Sequence, residues 1–345
     1  MHEAATAATR LGMRRLGGAL DVASTRSYAR RAGKIVRNSR AHVYHYRSGF
    51  GGPSVEEARA RGLVALCDHS IAHPALVEHL VAHRGRLSRS DERTHVSPFW
   101  RHVLDDVQRA DHVVVNSAFV KETFVYQGWD PKRVDVVYWG VDDAFLDVIP
   151  SRPAHARGPL RLAFAGHLAG RKGAHELERA LAQLDDVDWT LAVAGAVDRE
   201  DSAASALIRD HRVLVHGTVT RPALAGILAE TDVFVFPSLA EGSARVVFEA
   251  LAAGCYVVTT PNAGSIVEDG VHGALVPVGD QAAVAAAIRH AAEDRERLAT
   301  IGARNAQIVR EQYRQEHYGD ELTRLYARLA DRKQWPASMP FGAMS

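Results

Sequence analysis

The 345-residue sequence predicts an α/β protein built from two doubly wound parallel-sheet domains. Three observations carry that prediction. Short apolar runs of strand length alternate with longer helical stretches in both halves, the rhythm of parallel strands joined by crossover helices. In the second half most of these runs end in Gly, Pro or a small polar residue, as strands do on leaving a sheet. Residues 147–159, DVIPSRPAHARGP, hold three prolines and no apolar period, so the domain linker falls there. The expected domains are 1–150, with a basic helical arm at 1–40, and 151–335, with the final helix packing back toward the first domain.

Taken in order, the first-half strands are AHVYHY (41–46), LVALC (63–67), HVVVN (112–116) and VDVVYW (134–139). Helical stretches lie between them, VEEARAR (55–61) and the run after Ser117 that stops at Gly128. The second-half strands are LRLAFAG (160–166), WTLAVAG (189–195), RVLVHG (212–217), DVFVFPS (232–238) and CYVVTT (255–260). The helices between them are AHELERALAQL, RPALAGILAET, ARVVFEALAAG and QAAVAAAIRHAAED, and a long polar helix at 311–333 follows. Ligands of such sheets bind beyond the carboxyl ends of the strands, and two of them face to face would enclose a cleft.

Composition narrows the classes. At 47% hydrophobic and 24% charged the chain can bury sizeable cores, and a net charge of +1 names no polyanionic partner. Cys67 and Cys255 sit far apart in apolar runs, with neither metal spacing nor a disulfide framework, which suits a reducing cytoplasm. No run is long enough to span a membrane, and the N-terminus lacks the apolar centre of a signal peptide. Residues 1–47 nevertheless carry ten Arg or Lys against two acids, Glu3 and Asp21. That charge reads either as a solvated helix face or as an arm for anionic lipid head groups, at the inner membrane face. Few aromatic residues accompany it, which disfavours nucleic acid.

The segment 232–254, DVFVFPSLAEGSARVVFEALAAG, carries most of the chemistry. A strand ends at Pro237-Ser238, a loop follows, and a helix is predicted to begin near Ser243. The first-turn amides of Ser243, Ala244 and Arg245, beside Gly242, would then point beyond the strand end and form an anion site suited to a diphosphate. Glu241 precedes the helix and Glu249 lies within it. A carboxylate among Val246, Val247, Phe248, Ala250 and Leu251 needs donors, and ribose hydroxyls would supply them. Either glutamate alone is as well read as a capping or ion-paired surface residue.

The run EGSARVVFEALAAG with the following PNAGSIVEDGVHGALV resembles the donor-binding domain of the family 4 glycosyltransferases, which have the GT-B architecture of two facing Rossmann-like domains. The likeness extends over about residues 110–320 and includes NSAFVKETFVYQGWDPKRVDVVYWGVDDAF. Glu241 and Glu249 match the family's two glutamates with seven residues between them. The resemblance implies a retaining transferase that needs no metal or cofactor and takes a sugar from a nucleotide diphosphate sugar. It implies that Glu249 holds the ribose and Glu241 the donor sugar. The Gly-rich LAFAGHLAGRKGAHEL contributes Gly166, Arg171 and Lys172 for the diphosphate. The family's Gly-Arg after this strand is Gly166-His167 here, so either Arg171 supplies the missing charge or His167 donates a hydrogen bond.

A histidine near the donor sugar, at a first-domain strand end, is matched best by His69 and next by His45. Asp68 is an alternative occupant, and His42 and His73 are nearby. Val215, His216 and Gly217 stand where the family packs its nucleobase, and Ala263-Gly264 permits close approach of the donor sugar. Asn116 and Ser117 read as helix caps. Family members usually begin with a strand and a Gly-rich loop. Here only about forty basic residues precede AHVYHY, and Gly17-Gly18 follows no strand, so the first domain is expected to be reduced. A nucleotide-sugar epimerase of the same architecture and a non-catalytic sugar-nucleotide binder are the alternatives. An NAD oxidoreductase is disfavoured, because no G-x-G-x-x-G follows a strand.

Overall fold

The computed structural model describes residues 14–87, 96–152 and 158–331, with side chains from residue 23 onward. The first thirteen residues of the basic arm, linker residues 153–157 and the chain beyond 331 lie outside the described residues. Gly17 and Gly18 fall within a helix, Arg14–Arg37.

Two sheets form. The first contains β1 (Val43–Arg47), β2 (Val64–His69), β3 (His112–Val115) and β4 (Val134–Val136) in the order β1-β2-β3-β4. β1 and β2 run parallel, with Tyr46 beside Cys67 and Arg47 beside Asp68. The second contains β5 (Leu160–Ala165), β6 (Trp189–Ala194), β7 (Val213–Gly217), β8 (Val233–Phe236), β9 (Tyr256–Thr259) and β10 (Gly273–Leu275). Its order is β10-β9-β8-β5-β6-β7, and every pair is parallel. Neighbours β5 and β8 are separated in sequence by two other strands, so the winding reverses between them. That reversal opens a crevice at their carboxyl ends.

Burial explains the strand sequences. All four residues of β8, Val-Phe-Val-Phe, are buried, because helices cover both faces of a parallel sheet and leave no polar alternation. Phe164 stacks on Phe236 at 5.6 Å between ring centroids, tying β5 to β8. β10 has three residues and lies within GVHGALV, too short for an apolar run to reveal it. The helix expected at 311–333 is found at Gln315–Asp331, and a further helix, Arg295–Gln312, which the sequence reading did not single out, precedes it. The two part at Tyr313-Arg314 because Val141 claims that backbone: its amide donates to the Tyr313 carbonyl (2.7 Å) and its carbonyl accepts from the Gln315 amide (2.9 Å). Long-range hydrogen bonds outweigh local helix propensity there.

The chain forms two compact units, one of residues 1–69, 97–114 and 319–345, the other of 70–96 and 115–318. In the first, the buried Asp106 carboxylate accepts from the amides of Gly51 and Gly52, each at 2.7 Å. This bond pair fixes the glycine turn after β1, where Gly52 has φ 44°, and it launches the helix Pro53–Ala60. In the second unit Asp232 accepts from Arg161 (2.6 Å) and Arg295 (2.8 Å). Burial works against that carboxylate's ionisation, yet the Arg161 bonds and the Arg295 charge hold it below the usual range.

Candidate functional site

The second unit gathers the donor-side candidates around the crevice beyond β5 and β8. The chain leaves β5 at Gly166 (φ 121°), and Gly173 (φ 84°) returns it to the helix Ala174–Leu181. Gly173 and Gly195, which follows the neighbouring strand β6, are steric necessities at close crossings. A Cβ on Gly173 would enter the Pro237 carbonyl, and one on Gly195 would enter that of Gly166. Between Gly166 and Gly173 the 3-10 turn Gly170–Lys172 is stitched to the end of β8 by the Leu239 amide, which donates to the Arg171 carbonyl (2.9 Å).

This stitching brings Arg171 and Lys172 onto one carboxylate. Arg171 Nη1 lies 2.6 Å and Lys172 Nζ 2.8 Å from Glu241 Oε1. Arg171 Nη1 also donates to the Ala240 carbonyl at 2.6 Å. The Lys172 stem runs beside Gly166, and its ammonium stands 5.1 Å from the centre of the Phe236 ring. His167 is exposed. Arg171 thus reaches the Glu241 loop, whereas His167 points to solvent-exposed surface.

The helix after this loop is Arg245–Ala252, with Ala244 as its N-cap. It starts later than Ser243, which corrects the expected set of open amides. The Ala244 amide donates to the Ala263 carbonyl at 2.9 Å, because the turn Pro261–Ala263 packs against the loop. The amides of Ser243, Arg245 and Val246 have no acceptor among the described residues, and no side chain caps the helix. The electropositive helix start is therefore open, one residue further along than the sequence suggests.

Gly242 is enclosed on three sides. Ser117 Oγ donates to its carbonyl, and a Cβ there would enter the Ser70 carbonyl oxygen and lie 3.0 Å from Asn116 Nδ2. Asn116 Nδ2 in turn donates to the Ser70 carbonyl at 3.2 Å. A Cβ on Gly264 (φ 65°) would enter the Gly242 carbonyl, so that close approach too needs glycine.

Glu249 is 5% exposed, on the buried face of its helix. Burial raises its carboxyl above the usual range, an effect that the Arg221 and Arg245 charges offset only in part. Arg221 is the residue that sequence reasoning missed. Its Nη1 lies 3.4 Å from Glu249 Oε1, its Nη2 lies 2.6 Å from Asp142 Oδ2, and its guanidinium stands 5.0 Å from the Phe145 ring centre. It opens the helix Arg221–Ala229, and its only local signal was the Arg-Pro of a helix start. β7 is an edge strand, with Leu214, Val215 and His216 exposed near its end.

In the first unit His69 ends β2, is 2% exposed, and shares a hydrogen bond between Nδ1 and Ser48 Oγ at 2.8 Å. Asp68 faces Arg47 across the β1–β2 register at 3.1 Å. His45 sits within β1 rather than at its end. Its Nδ1 meets the Tyr326 hydroxyl at 2.6 Å, and burial lowers its basicity. His42 precedes β1 and is exposed, and His73, in the second unit, packs edge-on against Phe124. Among the described residues no three His, Cys, Asp or Glu side chains cluster as metal ligands, and no helix is long and apolar enough to cross a membrane. Cys67 and Cys255 are free and buried; burial pushes the Cys255 thiol up to about 11.

Residues 159–294 match the family described as glycosyl transferases group 1. A D-inositol 3-phosphate glycosyltransferase of Mycobacterium sp. (strain JLS) is 35% identical over 198 residues, 51% of this chain and 44% of that one. The lipopolysaccharide core biosynthesis glycosyltransferase LpsE of Rhizobium meliloti (strain 1021) is 31% identical over 236 residues, 65% of this chain and 66% of that one. The chain thus spans less than half the length of the inositol-phosphate relative. Among solved structures, Anabaena HepE in complex with UDP superposes with a TM-score of 0.65 at 21% identity, covering 86% of this chain and 82% of that one. Sucrose-phosphate synthase from Thermosynechococcus elongatus gives a TM-score of 0.65 at 21% identity, covering 84% and 74%. The fold is that of the GT-B glycosyltransferases, and residues 159–294 match the glycosyl transferases group 1 model.

Proposed function

We propose that the chain is a retaining glycosyltransferase of the hexosyltransferase type, moving a sugar from a nucleotide diphosphate sugar to an acceptor hydroxyl. The observation that carries this reading is the meeting of Arg171, Lys172 and Glu241 beside an uncapped helix start, at the point where the sheet reverses its winding. An arriving diphosphate would take over the two cations and the amides of Ser243, Arg245 and Val246, leaving Glu241 to accept from the donor sugar's hydroxyls. Glu249 would accept from the ribose, with the base near Val215, His216 and Gly217.

In the reaction the bond from the anomeric carbon to the diphosphate oxygen breaks. The acceptor oxygen bonds that carbon on the same face, and its proton passes to an oxygen of the departing diphosphate. Negative charge gathers on the departing diphosphate, where Lys172, Arg171 and the fixed amides stabilise it without reorganising. This is work that a divalent ion does elsewhere, so the proposal requires none. His69 is the first-unit residue assigned to the donor sugar, with His45 and Asp68 second. Retention rests on the likeness of Glu241 and Glu249 to the family's paired glutamates.

A thermal-shift series with UDP-, GDP- and ADP-sugars tests the donor site. A donor at a hundred times its Kd stabilises the fold by about 2.7 kcal/mol. HepE was solved with UDP, so the UDP-sugars come first. If no nucleotide sugar raises the melting temperature, the donor-site reading is wrong.

A further inference from the structure

Asn262 stands just before the Ala263-Gly264 pair, in the turn Pro261–Ala263 after β9, and the donor chemistry gives it no task. It is 7% exposed, so its side-chain amide needs partners inside the protein. β8 and β9 run parallel and in register as far as Phe236 beside Thr259. Beyond that point side chains continue the pairing. Thr259 Oγ1 donates to the Phe236 carbonyl (2.8 Å), Thr260 Oγ1 to the Ser238 carbonyl (2.5 Å) and Asn262 Nδ2 to the Leu239 carbonyl (2.7 Å). Backbone bonds then resume. The Asn262 carbonyl accepts from the Glu241 amide and the Ala263 carbonyl from the Ala244 amide, each at 2.9 Å. Asn262 thus grips the loop on both sides of Ala240, once by its side chain and once by its backbone.

The other Nδ2 hydrogen goes to the Gly85 carbonyl at 2.7 Å. Both partners are carbonyl oxygens, which only accept, so a carboxylate of the same shape could not take the amide's place. Gly85 (φ 80°) sits in a space that admits nothing larger: a Cβ there would enter Val278 and the Leu239 carbonyl. Its neighbour Arg84 has φ 53°, the one non-glycine residue with a positive φ among the described residues. That conformation is held because the Arg84 guanidinium donates to Glu176, whose carboxylate is fully buried. Glu176 belongs to the helix Ala174–Leu181, which begins two residues after Lys172. Adjacent residues of one loop therefore join the helix that follows Lys172 to the turn that holds Glu241.

We propose that Asn262 is a positioning residue for Glu241: its amide bridges Leu239 and Gly85 while its carbonyl holds the Glu241 amide, and together these bonds aim the carboxylate at the donor sugar. The assignment rests on the reading of Glu241 as the donor-sugar carboxylate. The bond from Ala244 to Ala263 does not involve Asn262, and it keeps the start of the helix Arg245–Ala252 in place. Asn262 therefore acts on the sugar half of the donor and leaves the diphosphate half to Lys172, Arg171 and the open amides.

The test compares Asn262→Ala and Asn262→Asp with the wild type in the full chain. Without ligand, amide hydrogen exchange over residues 239–244 should quicken about tenfold or more as two hydrogen bonds are lost, while residues 160–165 stay unchanged. Calorimetric titration then uses the nucleotide sugar that the thermal-shift series selects and its free nucleoside diphosphate. The diphosphate should bind within about threefold of wild type, whereas the nucleotide sugar should bind about tenfold more weakly or worse. Both variants should behave alike, because each removes the donors and only alanine removes the bulk. Asn262→Ser, whose hydroxyl is too short to bridge both carbonyls, carries the same expectations if the alanine variant does not fold. Unchanged exchange at 239–244, an aspartate variant equal to wild type, or equal losses for the diphosphate and the nucleotide sugar would each overturn the proposal. If the wild type binds no nucleotide sugar, the donor-site reading falls, and exchange at 239–244 alone still decides whether Asn262 holds Glu241.

Discussion

Replacing Glu249 with glutamine should move stability and nucleotide affinity in opposite directions. The carboxyl is 5% exposed, and burial raises it above the ordinary range despite Arg221 at 3.4 Å and the Arg245 charge. A raised carboxyl binds its proton more tightly folded than unfolded. Its contribution is therefore fully present below the unfolded value and declines as pH rises from there through the folded value. At neutral pH the ionised side chain is a net cost, and glutamine removes it. Arg221 is not stranded by the change, because it keeps Asp142 at 2.6 Å and is 42% exposed. Relief of even 1 kcal/mol raises the melting temperature of a domain this size by about 2–4 °C. On the proposed ribose role of Glu249, the nucleotide loses a charged acceptor, a loss of about 1.5–3 kcal/mol, or roughly ten- to a hundredfold in Kd. Scanning fluorimetry at pH 4 and pH 8 with calorimetric titration of UDP reads both effects. The variant should melt higher at pH 8, the gain should shrink toward pH 4, and UDP should bind more weakly. A lower melting temperature at pH 8 with unchanged UDP affinity would refute both the burial argument and the ribose role.

Three further substitutions probe separate parts of the structure. Gly242→Ala would drive a Cβ into the Ser70 carbonyl, so the loop must retreat by more than about an ångström; turnover should fall at least about a hundredfold, measured with any active donor and acceptor pair. Lys172→Ala leaves Arg171 on Glu241, so the melting temperature should hardly change, while UDP affinity drops about ten- to a hundredfold by calorimetry. Asp106→Asn puts an amide group against two buried backbone donors, and it should destabilise the first unit by about 2 kcal/mol or more. Hydrogen exchange faster at residues 43–69 than at 160–194 would register that loss.

What the sequence disclosed was what depends on neighbours along the chain. The apolar runs of β5 and β8 sit where their residues place them, because both are buried on nearly every position and must read as continuous hydrophobic stretches. Glu241 and Glu249 stood out because a carboxylate before and within an apolar helix is costly without partners. The partners themselves were hidden. Arg221 lies 28 positions before Glu249 and 79 after Asp142, and no local period connects the three. The Ala244 amide was expected to be open because a helix start leaves it so. It is closed by a carbonyl from a turn whose packing no pattern within the helix specifies. The break at Tyr313 has the same origin, a backbone pair with Val141 that competes with helix continuation.

Ser117 shows how a correct local reading can still understate a residue. The rule that serine caps helices holds: its Oγ accepts from the Val120 amide at 3.2 Å, and the helix Ala118–Tyr126 begins there. A capping hydroxyl uses a lone pair and keeps its proton, so it can still donate. That proton goes to the carbonyl of Gly242, 125 positions away, in the loop that carries Glu241. Asn116, beside it, fixes the Ser70 carbonyl, the atom that forbids any side chain at 242. The glycine after Glu241 is therefore required by its protein neighbours before any ligand arrives. The position of the carboxylate is set by a cap, an asparagine and a backbone carbonyl that lie outside the glutamate segment. A site whose geometry is held this way can show a complete E-x7-E signature and still fail if those three are altered.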